Sequence, residues 1–225
     1  MGKVRDYKTL LAQESCFPID PAILDEMLDN GESVVLKTYE PLIDTGKYDP
    51  NIYIVKSGLI RGTYLDKNIE RTAGFALAGT LFMSFHCYYA DQPSYYRFEA
   101  CCASEVIRVP RSYFNNLIAT NHQFAQWILS AHQNQLFYNE FKSKLMTGSA
   151  RERLMQLTEN LGILLDQDAP DAYWTRLKEE VDFRWREISR FVPAKIIASY
   201  LGITEQHLSK IKKEILSEYK KNSHK

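Results

Sequence analysis

Ala194-Lys-Ile-Ile-Ala-Ser-Tyr-Leu-Gly-Ile-Thr-Glu-Gln-His-Leu-Ser-Lys-Ile-Lys-Lys213 reads as two short helices joined by a tight turn. Ile196, Ile197 and Tyr200 or Leu201 recur at helical spacing, and Gly202 follows where a helix needs a left-handed residue to end. Ile203 plugs the turn, and Thr204 is placed to cap the second helix by accepting a free amide hydrogen. Leu208, Ile211 and Ile215 then form an inward stripe, which leaves Glu205, Gln206, Ser209, Lys210, Lys212 and Lys213 facing outward. Those types suit a duplex: glutamine pairs bidentately with adenine, glutamate accepts from cytosine, and lysine meets guanine or phosphate. A helical hairpin with a solvated charged face would show the same periodicity, so the surroundings of the motif matter.

Charge is the first of those surroundings. The 225 residues carry 28 basic and 28 acidic side chains and no formal net charge. Residues 186–225 nevertheless hold nine Lys or Arg against four Asp or Glu, a local balance of +5, so the first 185 sum to −5. A basic end on an acidic body is the asymmetry expected when one part alone meets nucleic acid. Apolar content of 45% with 12% aromatics supports a packed core and argues against disorder. No run of about 18 apolar residues and no apolar signal core behind the first residues is present, so a cytoplasmic protein without membrane contact is expected. The four cysteines, Cys16, Cys87, Cys101 and Cys102, form no CxxC pair, and they read as thiols without a metal role.

Upstream the texture divides. Ile23 to Leu28 reads as a short helix ended by Asn30-Gly31. From Ser33 onward short β-type runs alternate with turns: Val34–Leu36, Ile52–Val55, Leu59–Leu65, Arg71–Leu77 and Phe98–Val109, with Lys56-Ser57-Gly58 and Asp66-Lys67-Asn68 between strands. Many short strands at this spacing predict an antiparallel sandwich or roll. After Pro110 the period becomes helical, with Ser112 expected to cap a helix over Tyr113–Thr120. Asn121 is expected to cap a longer one reaching about Met146. Along it Phe124, Ile128, Ala131, Gln135, Tyr138, Lys142 and Leu145 fall four and three apart, an imperfect coiled-coil seam that also fits a helix packed on its own domain. Thr147-Gly148-Ser149 reads as a hinge, with Ser149 capping a helix whose Leu154, Leu157 and Leu161 point inward. Residues 166–171 read as a polar loop, and Trp174–Trp185 is highly charged with only a weak helical stripe of Leu177, Val181 and Trp185.

This order of β-rich region, long helix and helix-turn-helix resembles the Crp/Fnr family of bacterial transcription regulators over about residues 20–214. Pro193, Ile197-Ala198, Leu201-Gly202-Ile203-Thr204, Leu208-Ser209-Lys210 and Ile211 stand where the family's reader has P-x-x-x-IA-x-x-LG-(I/V)-T-x-x-x-(L/I)-S-(R/K)-I. Ile52–Gly58 with Gly62–Tyr64 is similar to the glycine-punctuated strands of its cyclic-nucleotide-binding-like roll. Gly79–Ala100 aligns without gaps to the segment that cradles a cyclic phosphate.

The resemblance implies an α+β protein. An N-terminal antiparallel jelly roll and a dimerisation helix at about 122–146 would fill residues 1–147, and a helical helix-turn-helix domain residues 148–225. It implies a sequence-specific regulator with no catalytic role, partnered by double-stranded DNA, a second copy and RNA polymerase, and away from membranes. Glu205, Gln206 and Lys210 match the family's base-reading positions, with His207 at their edge. Thr204, Ser209, Lys212 and Lys213 would hold phosphates.

In the cradle the chain departs from the family. Nucleotide-binding members have a Gly-Glu pair where this sequence has Met83-Ser84, and Arg-Ser or Arg-Thr where it has Ser94-Tyr95. Cyclic AMP is therefore not the expected ligand, since a buried phosphate without a cation is costly. Phe82, Phe85, Tyr88, Tyr89, Tyr95 and Tyr96 make the segment aromatic, so Phe82, Met83, Ser84, Phe85, Ser94, Tyr95 and Tyr96 become the candidate effector pocket, for an apolar or aromatic ligand, or else core filling. The family's carbon monoxide sensors use heme, and His86 stands alone on that segment, a lone histidine of the kind that is more often packed or at the surface than a ligand. His122 and His132 lack metal spacing. The alternative to a DNA reader is a small-molecule sensor whose helix-turn-helix contacts a protein.

Overall fold

The computed structural model describes residues 6–158 and 192–222. The loop expected over residues 166–171, the Trp174–Trp185 stretch and Leu161 lie outside the described residues. Two units are distinguished: Met1–Asn68 with Ala73–Tyr138, and Ile69–Thr72 with Asn139–Lys225.

The first unit is a roll of two antiparallel sheets. The strands are β1 (Glu32–Leu36), β2 (Pro41–Ile43), β3 (Ile52–Ser57), β4 (Leu59–Asp66), β5 (Ile69–Leu77, in this unit from Ala73), β6 (Leu81–Met83), β7 (Arg97–Ala100) and β8 (Ser104–Val109). One sheet runs β1-β8-β3-β6 and the other β2-β7-β4-β5. The turns follow from backbone chemistry. Gly58 has φ +85 and its ideal Cβ would lie 2.3 Å from Ser104 Oγ, so β3 can double back into β4 only through glycine. Lys67 and Asn68 both take positive φ, the two-residue hairpin geometry that joins β4 to β5.

β3 shows why an unbroken apolar run forms a strand here. Tyr53 and Val55 face the space between the sheets with Leu36, Ile60, Ala100 and Val106, while Ile52 and Ile54 join the core on the opposite face. That second core is built by helices: α1 (Tyr7–Ala12), α2 (Pro21–Asp29), α4 (Arg111–Thr120) and the first part of α5 (His122–Leu145). α3 (Phe85–Ala90) follows β6.

Several expectations need correction. Phe98–Val109 is two strands, because Cys101–Ala103 turns the chain between β7 and β8; the adjacent cysteines therefore do not sit on a strand. α4 starts at Arg111 behind Pro110, so Ser112 is inside the helix and does not cap it. Asn121 does cap α5, its Oδ1 accepting from Phe124 N at 3.0 Å.

The largest difference concerns the faces of α5. Phe124, Trp127 and Ile128 are buried in the helix-side core. An adjacent polar row holds the N-terminal segment: Gln123 and Trp127 donate to the carbonyls of Pro18 and Ala12, Asn134 to that of Glu14, and Ser130 Oγ accepts from Cys16 N. The seam expected through Phe124 and Ile128 is thus consumed by the helix's own unit. The exposed stripe is His122, Gln126, Leu129, Gln133 and Leu136, at the same spacing but two residues round, about 200° away.

Candidate nucleic-acid interface

In the second unit α6 (Ala150–Thr158) precedes α7 (Ala194–Leu201) and α8 (Glu205–Asn222), the two helices and tight turn expected from the sequence. α7 begins behind Pro193, whose missing N–H costs nothing at a helix start. Ile196, Ile197, Tyr200 and Leu201 are buried, and the helix ends where the glycine requires it. Gly202 has φ +67, its N–H donates to Ser199 O, and Ile203 N–H donates to Ala198 O at 3.0 Å. That is the paired closure of a Schellman end. Thr204 Oγ1 then accepts from His207 N at 3.2 Å, capping α8.

Leu208 and Ile211 are 1% and 3% exposed, whereas Thr204, Glu205, Gln206, His207, Ser209, Lys210, Lys212 and Lys213 are all exposed. The structure therefore brings the eight proposed contact residues to one helix end, free of the core. Lys210 lies 4.0 Å from Glu214 one turn on, a loose surface pair that leaves its ammonium available.

Two supporting contacts are not legible in the sequence. Arg153 of α6 donates from Nη1 to Leu201 O at 2.6 Å, tying down the last carbonyl of α7 beside the turn. Lys142 places Nζ 4.4 Å from the centre of the Tyr200 ring, and burial pulls its pKa down to about 8. Both contacts join segments distant in sequence, and no local pattern announces them. Ser149 and Glu152 do form the expected start of α6, each side chain bonding the other's backbone N–H.

The candidate effector residues of the roll are dispersed. Phe82 stacks between Tyr53 and Phe98, with ring centres 5.5 Å from each, and fills the space between the sheets. Met83 turns into the helix-side core. Phe85 lies outside, stacked on Tyr89. Tyr95 and Tyr96 meet edge to face at 5.1 Å, with Tyr64 and His86 against them, and burial raises the Tyr96 phenol above its ordinary pKa.

Ser84 and Ser94 do come together. Both are buried, Ser84 Oγ donates to Ser94 Oγ at 2.8 Å, and Ser94 Oγ donates to Tyr96 O at 2.7 Å. The two positions that would hold a carboxylate and a guanidinium thus form a closed neutral chain. The nearby arginines are engaged elsewhere: Arg61 and Arg97 both donate to Glu99, and Arg97 also meets Asp44. This buried cross-strand cluster pairs residues 38 apart and was not anticipated.

Among the described residues no helix is long and apolar enough to cross a membrane, and no group of three or more His, Cys, Asp or Glu is arranged to hold a metal. The four cysteines are free, and burial pushes the Cys101 thiol up to about 12.

Residues 33–121 match the family of the cyclic nucleotide-binding domain. No curated protein matches the chain. Among solved structures it resembles FixK2 of Bradyrhizobium japonicum, at 19% identity and TM-score 0.60 over 84% of this chain and 85% of that one. A CooA mutant of Carboxydothermus hydrogenoformans gives 17% and 0.61 over 85% and 79%. The c-di-GMP-responsive global regulator CLP of Xanthomonas campestris gives 13% and 0.62 over 88% and 93%. At these identities the likeness is one of fold.

Proposed function

We propose that this chain, whose residues 33–121 belong to the cyclic nucleotide-binding domain family and whose fold is that of Crp/Fnr regulators, is a sequence-specific DNA-binding transcription regulator acting as a homodimer. The observation that carries this reading is the division of α8 into a flank buried at Leu208 and Ile211 and an exposed polar one. Glu205, Gln206 and Lys210 read base edges in the major groove. Thr204, Ser209, Lys212 and Lys213 hold phosphates and set register, with His207 at the edge. The reader domain runs from residue 148, with a hinge at Gly148.

Two copies pair along the exposed stripe of α5. Leu129 and Leu136 supply apolar knobs, and Gln126 and Gln133 meet their own copies, where polar residues fix register. Glu140, next at this spacing, would oppose a second carboxylate and so ends the seam. Pairing brings two reader helices to half-sites about 34 Å apart on a two-fold operator. RNA polymerase is the partner such a regulator would address, and the compartment is the cytoplasm. The roll responds to a signal other than cyclic AMP, because Ser84 and Ser94 offer neither the carboxylate nor the guanidinium that grip it.

The test is selection of genomic fragments with the purified chain, followed by affinity measurements on the enriched operator. Lys210→Ala should relax base preference, and Lys212→Ala should lower affinity on all sequences and reduce its salt dependence by about one ion. Parent-like behaviour of both variants would remove the DNA reading. Cyclic AMP should leave operator affinity and the melting of the roll unchanged.

A further inference from the structure

The seam has a neighbour on the roll. Phe85 and Tyr89 of α3 are 44% and 60% exposed, and their rings stack at 6.0 Å. Both rest on His132 of α5, with ring centres 6.3 and 6.1 Å away. His132 is fixed at both nitrogens. Nδ1 lies 2.8 Å from the Ile128 carbonyl, an acceptor, so it carries the hydrogen, and Nε2 accepts from the Tyr89 hydroxyl at 3.1 Å. Tyr88 braces Tyr89 edge-on at 4.7 Å. The rings are therefore held outward on a rigid base at His132, which lies about one helical turn from both Leu129 and Leu136, each 63% exposed.

Charge identifies what covers them. From His122 to Asn139 the chain has 18 successive residues without Asp, Glu, Lys or Arg, and Phe85–Ala90 has none either, in a protein where 25% of residues carry charge. A two-fold axis sets a surface against its own copy, so any cluster of like charge would repel itself. An uncharged aromatic and aliphatic face is what self-association permits, and it resembles the charge-depleted core of a subunit interface.

We propose that Phe85 and Tyr89, braced by His132, form part of the subunit interface and pack on α5 of a second copy, beside the seam. This rests on the dimer reading given above. It adds that the roll segment between residues 79 and 100 touches the other subunit directly, so a change in α3 alters pairing without passing along the hinge.

Sedimentation equilibrium on the full chain separates the two ideas. Leu129→Asp with Leu136→Asp should be monomeric where the parent is dimeric. Phe85→Ser with Tyr89→Ser should keep the parent's circular dichroism and weaken dimerisation about tenfold or more. Because that double variant risks misfolding, a benzophenone amino acid at position 89 provides a second measurement that keeps an aromatic ring; irradiation should yield a covalent dimer. If the α5 variant dissociates while the α3 variant keeps the parent's dimer constant and the benzophenone gives no covalent dimer, the inference is overturned and the dimer reading stands. An α5 variant that stays dimeric overturns both.

Discussion

The reader and the roll answer the same question in opposite ways. Along α8 a residue's place in the sequence decides its place in space: Leu208 and Ile211 go in, and the eight polar candidates between Thr204 and Lys213 stay out. Along the segment from Phe82 to Tyr96, neighbours in sequence part company. Phe82 enters one core, Met83 another, Phe85 faces solvent, and only the two serines meet. A helix face is a local object with a period of 3.6, whereas a pocket in a roll is assembled from strands whose partners lie far along the chain. The first can be read from twenty residues. The second needs the register.

The most forceful way to break this contrast is through the buried flank of α8. Leu208→Ala should destabilise the reader unit by about 3 kcal/mol, the usual cost of emptying a fully buried leucine site. Lys212→Ala, on the exposed flank of the same helix, should leave stability unchanged within about 0.5 kcal/mol. Urea unfolding followed by the helical signal at 222 nm measures both, that wavelength being roughly the usual helix minimum. Equal effects would mean that the helix does not have an inside and an outside.

Gly202→Ala comes next. Holding alanine at φ +67 costs about 1–2 kcal/mol, and the new methyl would lie 3.0 Å from Met146 Cε and 3.4 Å from the Arg153 guanidinium that secures Leu201 O. Operator affinity should fall with stability, since the angle between α7 and α8 is set at this residue. An affinity unchanged in anisotropy titrations would show that the turn tolerates another closure.

In the roll the informative comparison is between two serines. Ser84→Ala leaves Ser94 still donating to Tyr96 O, so its cost should be about 1 kcal/mol. Ser94→Ala strands both the Ser84 hydroxyl and the Tyr96 carbonyl, and should cost visibly more, up to about 2 kcal/mol. The order of the two melting temperatures is the measurement. A reversed order would mean that the closed chain is not what holds this site, and would reopen the case for a ligand between the strands.

How much was legible follows the same division. The turn at Gly202, the caps at Thr204, Asn121 and Ser149, and five strand regions were readable because each is written in adjacent residues. β2 and β6, three residues each, were too short to show alternation, and α1 and α3, six residues each, too short to show a helical period. The sequence locates α5, but its spacing alone does not say which apolar row its own unit takes. An apolar row packed on its own core and one awaiting a partner obey the same spacing, and the greasier row, Phe124 and Ile128, went inward. The buried Arg61–Glu99 pair was invisible for a related reason. Charged residues on a strand read as solvent-facing until the opposing strand supplies the counter-charge.

Lys142 offers the finest test, because it is a residue whose chemistry no sequence pattern suggested. Burial lowers its pKa from 10.5 to about 8, while an unfolded lysine keeps its proton to about 10.5. Between those values the unfolded chain binds one more proton than the folded one, so this group makes stability rise with pH across that window. Below about pH 8 both states are protonated, and the folded state carries the full cost of a desolvated ammonium, offset in part by the Tyr200 ring beneath it. Lys142→Met keeps the length of the side chain and removes the charge. It should raise stability near pH 7 by about 1 kcal/mol and flatten the rise between pH 8 and 10.5 relative to the parent. Tyrosines that titrate in the same range contribute equally to both proteins, so the difference between the two melting curves isolates the lysine. A difference that does not vary with pH would place that ammonium in water, and the Lys142–Tyr200 contact would then have no part in seating the reader.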